Sequence, residues 1–253
     1  MKILAITQAR VGSSRLPGKV LKEINGTSIL EMHVRRIIKS NLVSKLIVAT
    51  TEEPEAMAIC ILCDNLGVEY YRGSMDDVLD RYYKTALPVK PDYVVRITSD
   101  CPLIDPEMID AVIKTTLDSG ADYGSNGFIT LFPDGQDVEV FKFSALEKAW
   151  KEATLPSDRE HVTPYIWRNS SLKGGNIFKS VNFEWKQDYS KVRMTLDETS
   201  DLEVITEMVN KLGTDSGWKE YADFYLNEES IHTKNDHIHR NEGYQKSLQK
   251  DKK

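Results

Sequence analysis

The sequence has few cysteines and no long hydrophobic run. Cys60 and Cys63 lie in a segment with a helical pattern and Cys101 stands alone, so neither a disulfide framework nor a zinc site is indicated. No apolar stretch reaches the ~20 residues that a membrane-spanning helix needs, and the N-terminus lacks a signal-peptide pattern. These absences argue against a disulfide-rich secreted protein and against a membrane protein, and they predict a cytoplasmic protein.

An excess of positive charge is also absent. Lys and Arg together number 33 against 39 Asp and Glu, which gives a formal net charge of −6. A chain of this charge is not expected to bind nucleic acid or a membrane surface. Its 253 residues are enough for one large α/β domain with a sizeable core. Because the cations that are present cluster locally, the charge pattern favours a small anionic ligand.

The clearest local cluster is ITQARVGSSRLPGKVL, which spans Ile6–Leu21 directly after a strand-like segment. It is not a P-loop, because Gly12 and Gly18 are one residue too far apart and Lys19 is not followed by Ser or Thr. Its glycines let backbone N–H groups approach an anion, and its cations can neutralise that anion. The cations are Arg10, Arg15 and Lys19. Its position after the first strand favours polyphosphate binding, with a solvated basic turn as the alternative.

Apolar runs rich in β-branched residues alternate with helical patterns through the first half of the chain. Strands are predicted at Lys2–Thr7, Lys45–Thr51, Val68–Tyr71 and Asp92–Thr98. Helices are predicted at Ser28–Ser40, Pro54–Asn65, Met75–Leu87 and Glu107–Leu117. This alternation predicts βαβ crossovers and a mixed, mostly parallel sheet that is covered by helices on both faces.

The second half of the sequence is less regular. A loop is predicted at Gly124–Gln136, followed by a strand at Asp137–Phe143 that need not be parallel. Helices are predicted at Ser144–Glu152, Ser157–Arg168 and Thr199–Leu212, and strands near Asn176–Glu184 and Lys191–Thr195. From about Asn227 the sequence is polar and lysine-rich, so we divide the chain into a domain at 1–226 and a polar extension at 227–253. Three histidines in this extension, at 232, 237 and 239, lack the carboxylate spacing of a metal site, which favours a solvated arm.

Two carboxylates directly follow apolar runs at the ends of predicted strands. Asp100 ends the run in YVVRITSDCPLID, and Asp197 ends the run in VRMTLDETSDLEV. Asp100 can also be interpreted as a turn residue. A capping box formed by Ser200 and Glu203 would start the next helix, so Asp197 is not needed as its cap. Two carboxylates at strand ends, opposite a polyphosphate loop, are suitable ligands for Mg²⁺.

Five segments together resemble a known family. QARVGSSRLPGKVL, RGSMDDVLDRY, RITSDCPLID, DREHVTPYIW and LDETSDLE follow each other as in the spore-coat polysaccharide cytidylyltransferases, which are related to CMP-Kdo synthetase and other CMP-sugar synthetases. The resemblance covers roughly residues 1–212. It implies one three-layer α/β/α nucleotidyltransferase domain of the Rossmann-like, GT-A-like type, with CTP as the donor and Mg²⁺ as the cofactor. The acceptor stays open, because the middle of the chain departs from the Kdo enzyme's pattern.

The resemblance also implies roles for individual residues. It suggests catalytic roles for Arg10, Lys19 and Asp100, and it places Asp100 and Asp197 as metal ligands. The implied nucleotide-binding residues are Gln8, Ala9, Arg10, Gly12, Ser13, Ser14, Arg15, Lys19, Arg72, Gly73, Asp76, Asp77, Arg81 and Ser99. The implied acceptor-binding residues are Arg96, Gln136, Asp137, Glu139, Glu160 and His161.

Several of these residues also have a structural interpretation. The segment around Asp76 and Asp77 can be a helix start, because Ser74 and Asp77 form a partial cap. Arg96 is a charge inside an apolar strand, so it either pairs with a buried carboxylate or reaches the substrate. Glu160 can be explained by a capping box that begins at Ser157.

The function that these features favour is transfer of CMP from CTP to a sugar, sugar acid or small phosphorylated acceptor, with release of pyrophosphate, in surface-glycan biosynthesis. One alternative is a nucleotide-sugar glycosyltransferase, which normally presents an Asp-x-Asp pair, whereas Asp100 is followed by Cys101-Pro102. The other alternative is a catalytically silent nucleotide-binding subunit, which would not need the two metal ligands. The resemblance further implies a homodimer, with Gly124–Phe143 as the expected contact.

Overall fold

The computed structural model describes residues 1–13 and 15–252. The strands of its central sheet are β1 (Ile3–Gln8), β4 (Lys45–Thr51), β5 (Glu69–Gly73), β6 (Tyr93–Thr98), β7 (Tyr123–Ser125), β8 (Glu139–Lys142) and β9 (Ser180–Asn182). Their spatial order is β5-β4-β1-β6-β8-β7-β9. Strands β5, β4, β1 and β6 are parallel to one another, and β8 runs antiparallel between β6 and β7. Two short strands, β2 (Glu23–Ile24) and β3 (Thr27–Ser28), form a separate hairpin.

The helices cover both faces of this sheet. They are α1 (Ile29–Ile37), α2 (Met57–Leu66), α3 (Val78–Ala86), α4 (Pro106–Ser119), α5 (Phe143–Glu152), α6 (Pro156–His161), α7 (Pro164–Arg168), α8 (Thr199–Leu212), α9 (Trp218–Asn227), α10 (Glu229–His232) and α11 (Glu242–Lys250). Alternate residues of β1 point to opposite faces, as the period of a strand requires. Ile3 packs in one buried cluster with α1, α4 and α8, whereas Leu4 packs in a second cluster with α3 and α5. The predicted three-layer α/β/α architecture with a mostly parallel sheet is therefore confirmed.

The predicted starts of two helices, at Ser28 and Glu107, lie within one residue of the observed starts. The Asp105 side chain accepts a hydrogen bond from the Glu107 backbone N–H at 2.8 Å, and Pro106 opens α4. The Ser28 hydroxyl accepts a hydrogen bond from the Glu31 backbone N–H at 3.2 Å at the start of α1. Among the described residues, no helix is both long and apolar enough to cross a membrane.

The less regular half contains four wrong predictions. The helix predicted at Ser157–Arg168 is two helices, because Val162 has a φ of 71° and Pro164 cannot continue the preceding turn. The strand predicted at Lys191–Thr195 is not a strand, and within it Arg193 forms only an isolated bridge to Asp134. Of the strand predicted near Asn176–Glu184, only β9 (Ser180–Asn182) is observed. The loop predicted to begin at Gly124 begins only after β7, which ends at Ser125.

The two later capping boxes are also wrong. Helix α8 begins one residue earlier than its predicted cap, with Glu198 as the N-cap and Asp201 as its reciprocal partner. Helix α6 begins at Pro156 and has no side-chain cap, so a capping box does not account for Glu160.

The segment after Asn227 folds back onto the rest of the chain instead of forming a solvated arm. Ile231 and Ile238 are buried apolar residues within it. Asn235 is fully buried, and its side-chain amide donates to Asp201 at 2.9 Å and accepts from the Tyr225 hydroxyl at 2.8 Å. Helix α11 packs against α6. The polar composition of this segment did not reveal these few buried side chains.

Candidate active site

A cavity of about 1020 Å³ opens at the carboxyl ends of β1 and β6. Parallel sheets bind ligands at this edge because loops from several strands converge there. The predicted residues that line it are Gln8, Ala9, Arg10, Ser13, Arg15, Lys19, Asp76, Arg81, Arg96, Ser99, Asp100, Asp137, Glu139, Glu160, His161 and Asp197. The fold therefore brings the cationic loop, both predicted metal ligands and most of the predicted acceptor residues to one cavity.

Lys19 lies between the two predicted metal ligands. Its Nζ atom donates to Asp100 Oδ2 at 3.0 Å and to Asp197 Oδ1 at 2.9 Å. It also donates to the Leu196 carbonyl at 2.8 Å. Arg15 adds a second cation, with Nη2 at 3.0 Å from Asp197 Oδ2. Both carboxylates thus contact the same Lys19 ammonium, although 178 positions separate Lys19 from Asp197.

Backbone geometry holds this cluster in place. Gly18 adopts a φ of 66°, which favours glycine, and starts a short 3-10 helix at Lys19. The two carboxylate segments are joined by the Leu196 backbone N–H, which donates to the Asp100 carbonyl at 2.7 Å. The Asp197 backbone N–H donates to the buried Asp201 carboxylate at 2.9 Å. These backbone contacts hold the Asp100 and Asp197 segments next to each other.

The same cluster sets the protonation states. Burial on its own would lower the pKa of Lys19, but the neighbouring Asp100 and Asp197 carboxylates outweigh it and raise the pKa. Burial on its own would raise the pKa of Asp100, but the Lys19 ammonium and a hydrogen bond from Thr98 hold it well below its ordinary range. At neutral pH the cluster therefore contains a charged ammonium and a charged Asp100 carboxylate.

His33 contacts the turn that follows Asp100, and the sequence analysis did not select this residue. Its ring is fully buried, with Nε2 2.8 Å from the Thr7 hydroxyl and Nδ1 2.8 Å from the Cys101 carbonyl oxygen. Burial lowers the pKa of His33 to about 4, so the ring is neutral. Because a carbonyl can only accept, Nδ1 carries the proton and Nε2 accepts from Thr7. A single histidine inside a helical pattern carries no sequence signal for this role.

Arg96 pairs with a buried carboxylate, which was the first of its two predicted alternatives. Its guanidinium contacts Glu139 on the adjacent strand β8. Glu139 also accepts hydrogen bonds from the Tyr123 hydroxyl at 2.5 Å and from the Thr163 hydroxyl at 2.6 Å. The Arg96 Nε atom is buried and has no partner among the described residues. The Arg96 and Glu139 side chains both line the cavity, but their charges neutralise each other.

Arg159 makes a bidentate contact with Asp77. This contact gives Asp77 a structural role that does not require a bound nucleotide. The Arg159 Nε atom lies 3.0 Å from both carboxylate oxygens of Asp77. The Asp77 Oδ1 atom also accepts from the Asp80 backbone N–H at 2.9 Å as the N-cap of α3. Asp77 therefore joins α3 to α6, and it does not line the cavity.

Four further predicted residues do not reach the cavity. Gln136 is fully buried, and its side-chain amide bonds to the Asp105 N–H at 2.9 Å and to the Leu103 carbonyl at 2.8 Å, so the acceptor role predicted for it is wrong. Arg72 donates to backbone carbonyls of residues 51–53. At Gly73, a Cβ atom would lie 2.8 Å from the Tyr71 ring, which explains the glycine by packing. Gly12 is not among the lining residues, and Ser14 lies outside the described residues.

The cavity also contains residues that sequence reasoning did not select. Arg159 and Trp167 belong to the quoted segment DREHVTPYIW, so a closer consideration of that segment could have found them. Lys173 and Tyr244 lie outside every quoted segment, and no local pattern distinguishes them. They enter the cavity only because α7 and the C-terminal segment fold against it.

Known proteins match most of this chain, including the cationic loop and both predicted metal ligands. A family model described as cytidylyltransferase matches residues 4–239. An uncharacterized protein of Methanocaldococcus jannaschii is 44% identical over 211 residues, which is 82% of this chain and 83% of the relative. The spore coat polysaccharide biosynthesis protein SpsF of Bacillus subtilis is 33% identical over 216 residues, which is 83% of this chain and 88% of SpsF. A solved cytidylyltransferase structure from Leptospira borgpetersenii has a TM-score of 0.86 and 32% identity, and the match covers 95% of this chain and 100% of that one.

Proposed function

This chain belongs to the cytidylyltransferase family, and from that premise we propose that it transfers CMP from CTP to a sugar, sugar acid or small phosphorylated acceptor in surface-glycan biosynthesis. Pyrophosphate is the other product. The observation that carries the proposal is the cluster of Lys19 between Asp100 and Asp197, at the sheet edge where nucleotides bind. The similarity to SpsF supports the link to a surface glycan.

The two carboxylates suit a magnesium ion. Their oxygens are the hard ligands that Mg²⁺ prefers, and an ion held by two carboxylates keeps positions for water and phosphate oxygens. The Lys19 ammonium contacts both carboxylates, so their oxygens already converge on one cation. When bound there, Mg²⁺ would neutralise charge on the phosphate oxygens of the nucleotide. Lys19 would then exchange its carboxylate partners for the phosphates.

The remaining task of the protein is to align the reactants and stabilise charge. The acceptor oxygen attacks the α-phosphorus of CTP, and the bond to the pyrophosphate breaks. Arg10 lines the cavity and forms no ion pair among the described residues, so its charge is available for the phosphates. Arg81 also lines the cavity, but it is buried and its guanidinium donates to the Ser74 carbonyl. Fixed cations at the leaving group lower the barrier because they need no reorganisation during the reaction.

CTP should stabilise this protein more than other nucleoside triphosphates do. A ligand that binds only the folded state raises the apparent melting temperature, and at 100 times its Kd it adds about 2.7 kcal/mol. The measurement is a thermal-shift comparison of CTP, UTP, ATP and GTP, each with Mg²⁺. Equal shifts for all four would contradict cytidine specificity. Arg10→Ala should reduce the CTP shift, whereas Lys186→Ala, at an exposed residue away from the cavity, should not.

We also propose that the protein is a homodimer. The loop after β7, within the predicted contact segment, exposes Ile129, and the nearby Trp185 is exposed next to the buried Phe132. Apolar side chains of this kind are often covered in an assembly. Light scattering should give twice the 28.8 kDa chain mass, and Ile129→Asp should lower it. Ile61→Asp, on the exposed face of α2, is the control, and a monomer mass for the unmodified chain would overturn the proposal.

A further inference from the structure

Three of the four carboxylate oxygens of the two predicted metal ligands face a cation of the protein itself. Asp100 Oδ2 and Asp197 Oδ1 lie 3.0 Å and 2.9 Å from Lys19 Nζ. Asp197 Oδ2 lies 3.0 Å from Arg15 Nη2. The fourth oxygen, Asp100 Oδ1, accepts a weak hydrogen bond from the Cys101 thiol at 3.6 Å. Each oxygen that could coordinate a divalent ion therefore already has a donor of the protein beside it.

The nearest charges around this pair of carboxylates balance each other. Asp100 and Asp197 contribute two negative charges, and Lys19 and Arg15 contribute two positive charges at ion-pair distance. The Lys19 side chain is only 14% exposed, so water and salt screen its charge incompletely. A divalent ion that approached both carboxylates would be repelled by the ammonium between them. Lys19 and a divalent ion therefore compete for the same two side chains.

The protein offers few other ligands at this position. Among the residues that the structure describes, no group of three or more His, Cys, Asp or Glu side chains is arranged to hold a metal ion. A site with one or two carboxylates relies on water and on phosphate oxygens of the substrate to complete the coordination of Mg²⁺. Both Asp100 and Asp197 therefore have to be released from Lys19 before the ion can bind them together.

The Lys19 side chain can leave the carboxylates without a change of the backbone. Its backbone is fixed, because the Lys19 N–H donates to the Leu16 carbonyl at 3.1 Å and the residue begins a short 3-10 helix. Its ammonium, by contrast, is a point charge at the end of a flexible four-carbon stem. Arg10 and Ser13 of the same loop line the same cavity. A polyphosphate bound by this loop would therefore give the ammonium a second set of partners.

We propose that Lys19 controls access to the metal site: it blocks the two carboxylates until the triphosphate of the nucleotide takes up its ammonium. The proposal rests on the proposed function, because it requires that the loop after β1 binds a triphosphate. Exchange of partners by Lys19 couples the two ligands, so the nucleotide and the ion each raise the affinity for the other by the same factor. The ion is then held tightly only beside a nucleotide that it can activate.

The test is Mn²⁺ binding to the full chain without nucleotide. Mn²⁺ takes the same oxygen ligands as Mg²⁺, and the electron paramagnetic resonance signal of the free ion reports how much of it is bound. Lys19→Met keeps most of the volume and removes the charge. It should raise the affinity for Mn²⁺ about tenfold or more, which lies in the usual range of coupling between two sites. Lys19→Arg retains a cation and should bind Mn²⁺ as weakly as the unmodified chain.

A matched control and a double variant locate the effect. Lys142 pairs with Asp122 at 2.8 Å outside the main cavity, so Lys142→Met frees only a single carboxylate and should leave Mn²⁺ binding unchanged. Adding Asp197→Asn to Lys19→Met removes one of the two ligands and should abolish the gain in affinity. A gain that also appears in Lys142→Met, or that survives in the double variant, would overturn the proposal.

The melting temperature provides an independent readout. Without Lys19 the two carboxylates lose their shared counterion, so Lys19→Met should melt at a lower temperature, and Mn²⁺ should raise its melting temperature more than that of the unmodified chain. Arg15→Met frees Asp197 from its second cation and should raise the Mn²⁺ affinity by a smaller factor. No gain in either variant would overturn the proposal.

These measurements contain no nucleotide, so their outcome is separate from the comparison of nucleoside triphosphates. Equal thermal shifts for CTP and the other triphosphates would count against the proposed function. A shift that is specific for CTP, together with unchanged Mn²⁺ binding in Lys19→Met, would count against the role of Lys19 alone.

Discussion

Asp100→Asn and Asp197→Asn should each reduce turnover at least ~10²-fold while the protein stays folded. Asparagine keeps the size of the side chain but removes the charge that would hold Mg²⁺. A reduction of this size corresponds to at least ~3 kcal/mol of lost transition-state stabilisation. The measurement is pyrophosphate release from CTP in a panel of sugars, sugar acids and small phosphorylated acceptors. Asp118→Asn, at an exposed residue of α4, is the control and should leave turnover unchanged.

The double variant distinguishes a shared ion from two independent roles. If both carboxylates hold one ion, their combined loss should be much smaller than the product of the single losses. Lys19→Ala should weaken CTP binding in the thermal-shift comparison, whereas the carboxylate variants should chiefly reduce turnover. Near-normal turnover in Asp197→Asn would make that residue a structural partner of Lys19 and Arg15.

Arg193→Met should lower the free energy of unfolding by about 3–5 kcal/mol, because it leaves the buried Asp201 carboxylate without its cation. Arg193 is buried, with Nε 2.8 Å from Asp201 Oδ1 and Nη1 2.8 Å from Asp134 Oδ2. Asp201 is itself fully buried and holds the backbone of Asp197, so the loss should extend to the candidate active site. Methionine keeps most of the volume and removes only the charge and the hydrogen bonds.

Urea unfolding provides the measurement, with an unchanged slope as evidence that the denatured state is the same. Lys219→Met breaks an exposed pair with Asp223 and should change the stability far less than Arg193→Met does. A loss for Arg193→Met as small as that of the control would mean that Asp201 and Asp134 find other partners or become protonated. Burial and the neighbouring Asp137 already raise the pKa of Asp134 to about 7, so this carboxyl is the one that would protonate first.

The parallel half of the fold was predictable because its signals are local. Strands β1, β4 and β6 are nearly continuous apolar runs, which is the pattern of strands buried on both faces. Asp105 and Pro106 mark the start of α4 through contacts within a few residues. The second half failed where the deciding contacts are distant, as in the segment around Arg193, whose backbone pairs with Asp134. Local propensity carries no information about such pairings.

By itself the sequence determined the layered α/β architecture and the cationic loop after β1, because strand periodicity, turn glycines and clustered charge are properties of neighbouring residues. Only the tertiary structure decided which distant groups meet. It placed Lys19 between Asp100 and Asp197, buried Gln136 within the fold, paired Arg96 with Glu139, and brought residues 241–245 of the C-terminal segment to the cavity. The physical reason is that these contacts depend on strand order and on loop packing, which no short stretch of sequence encodes.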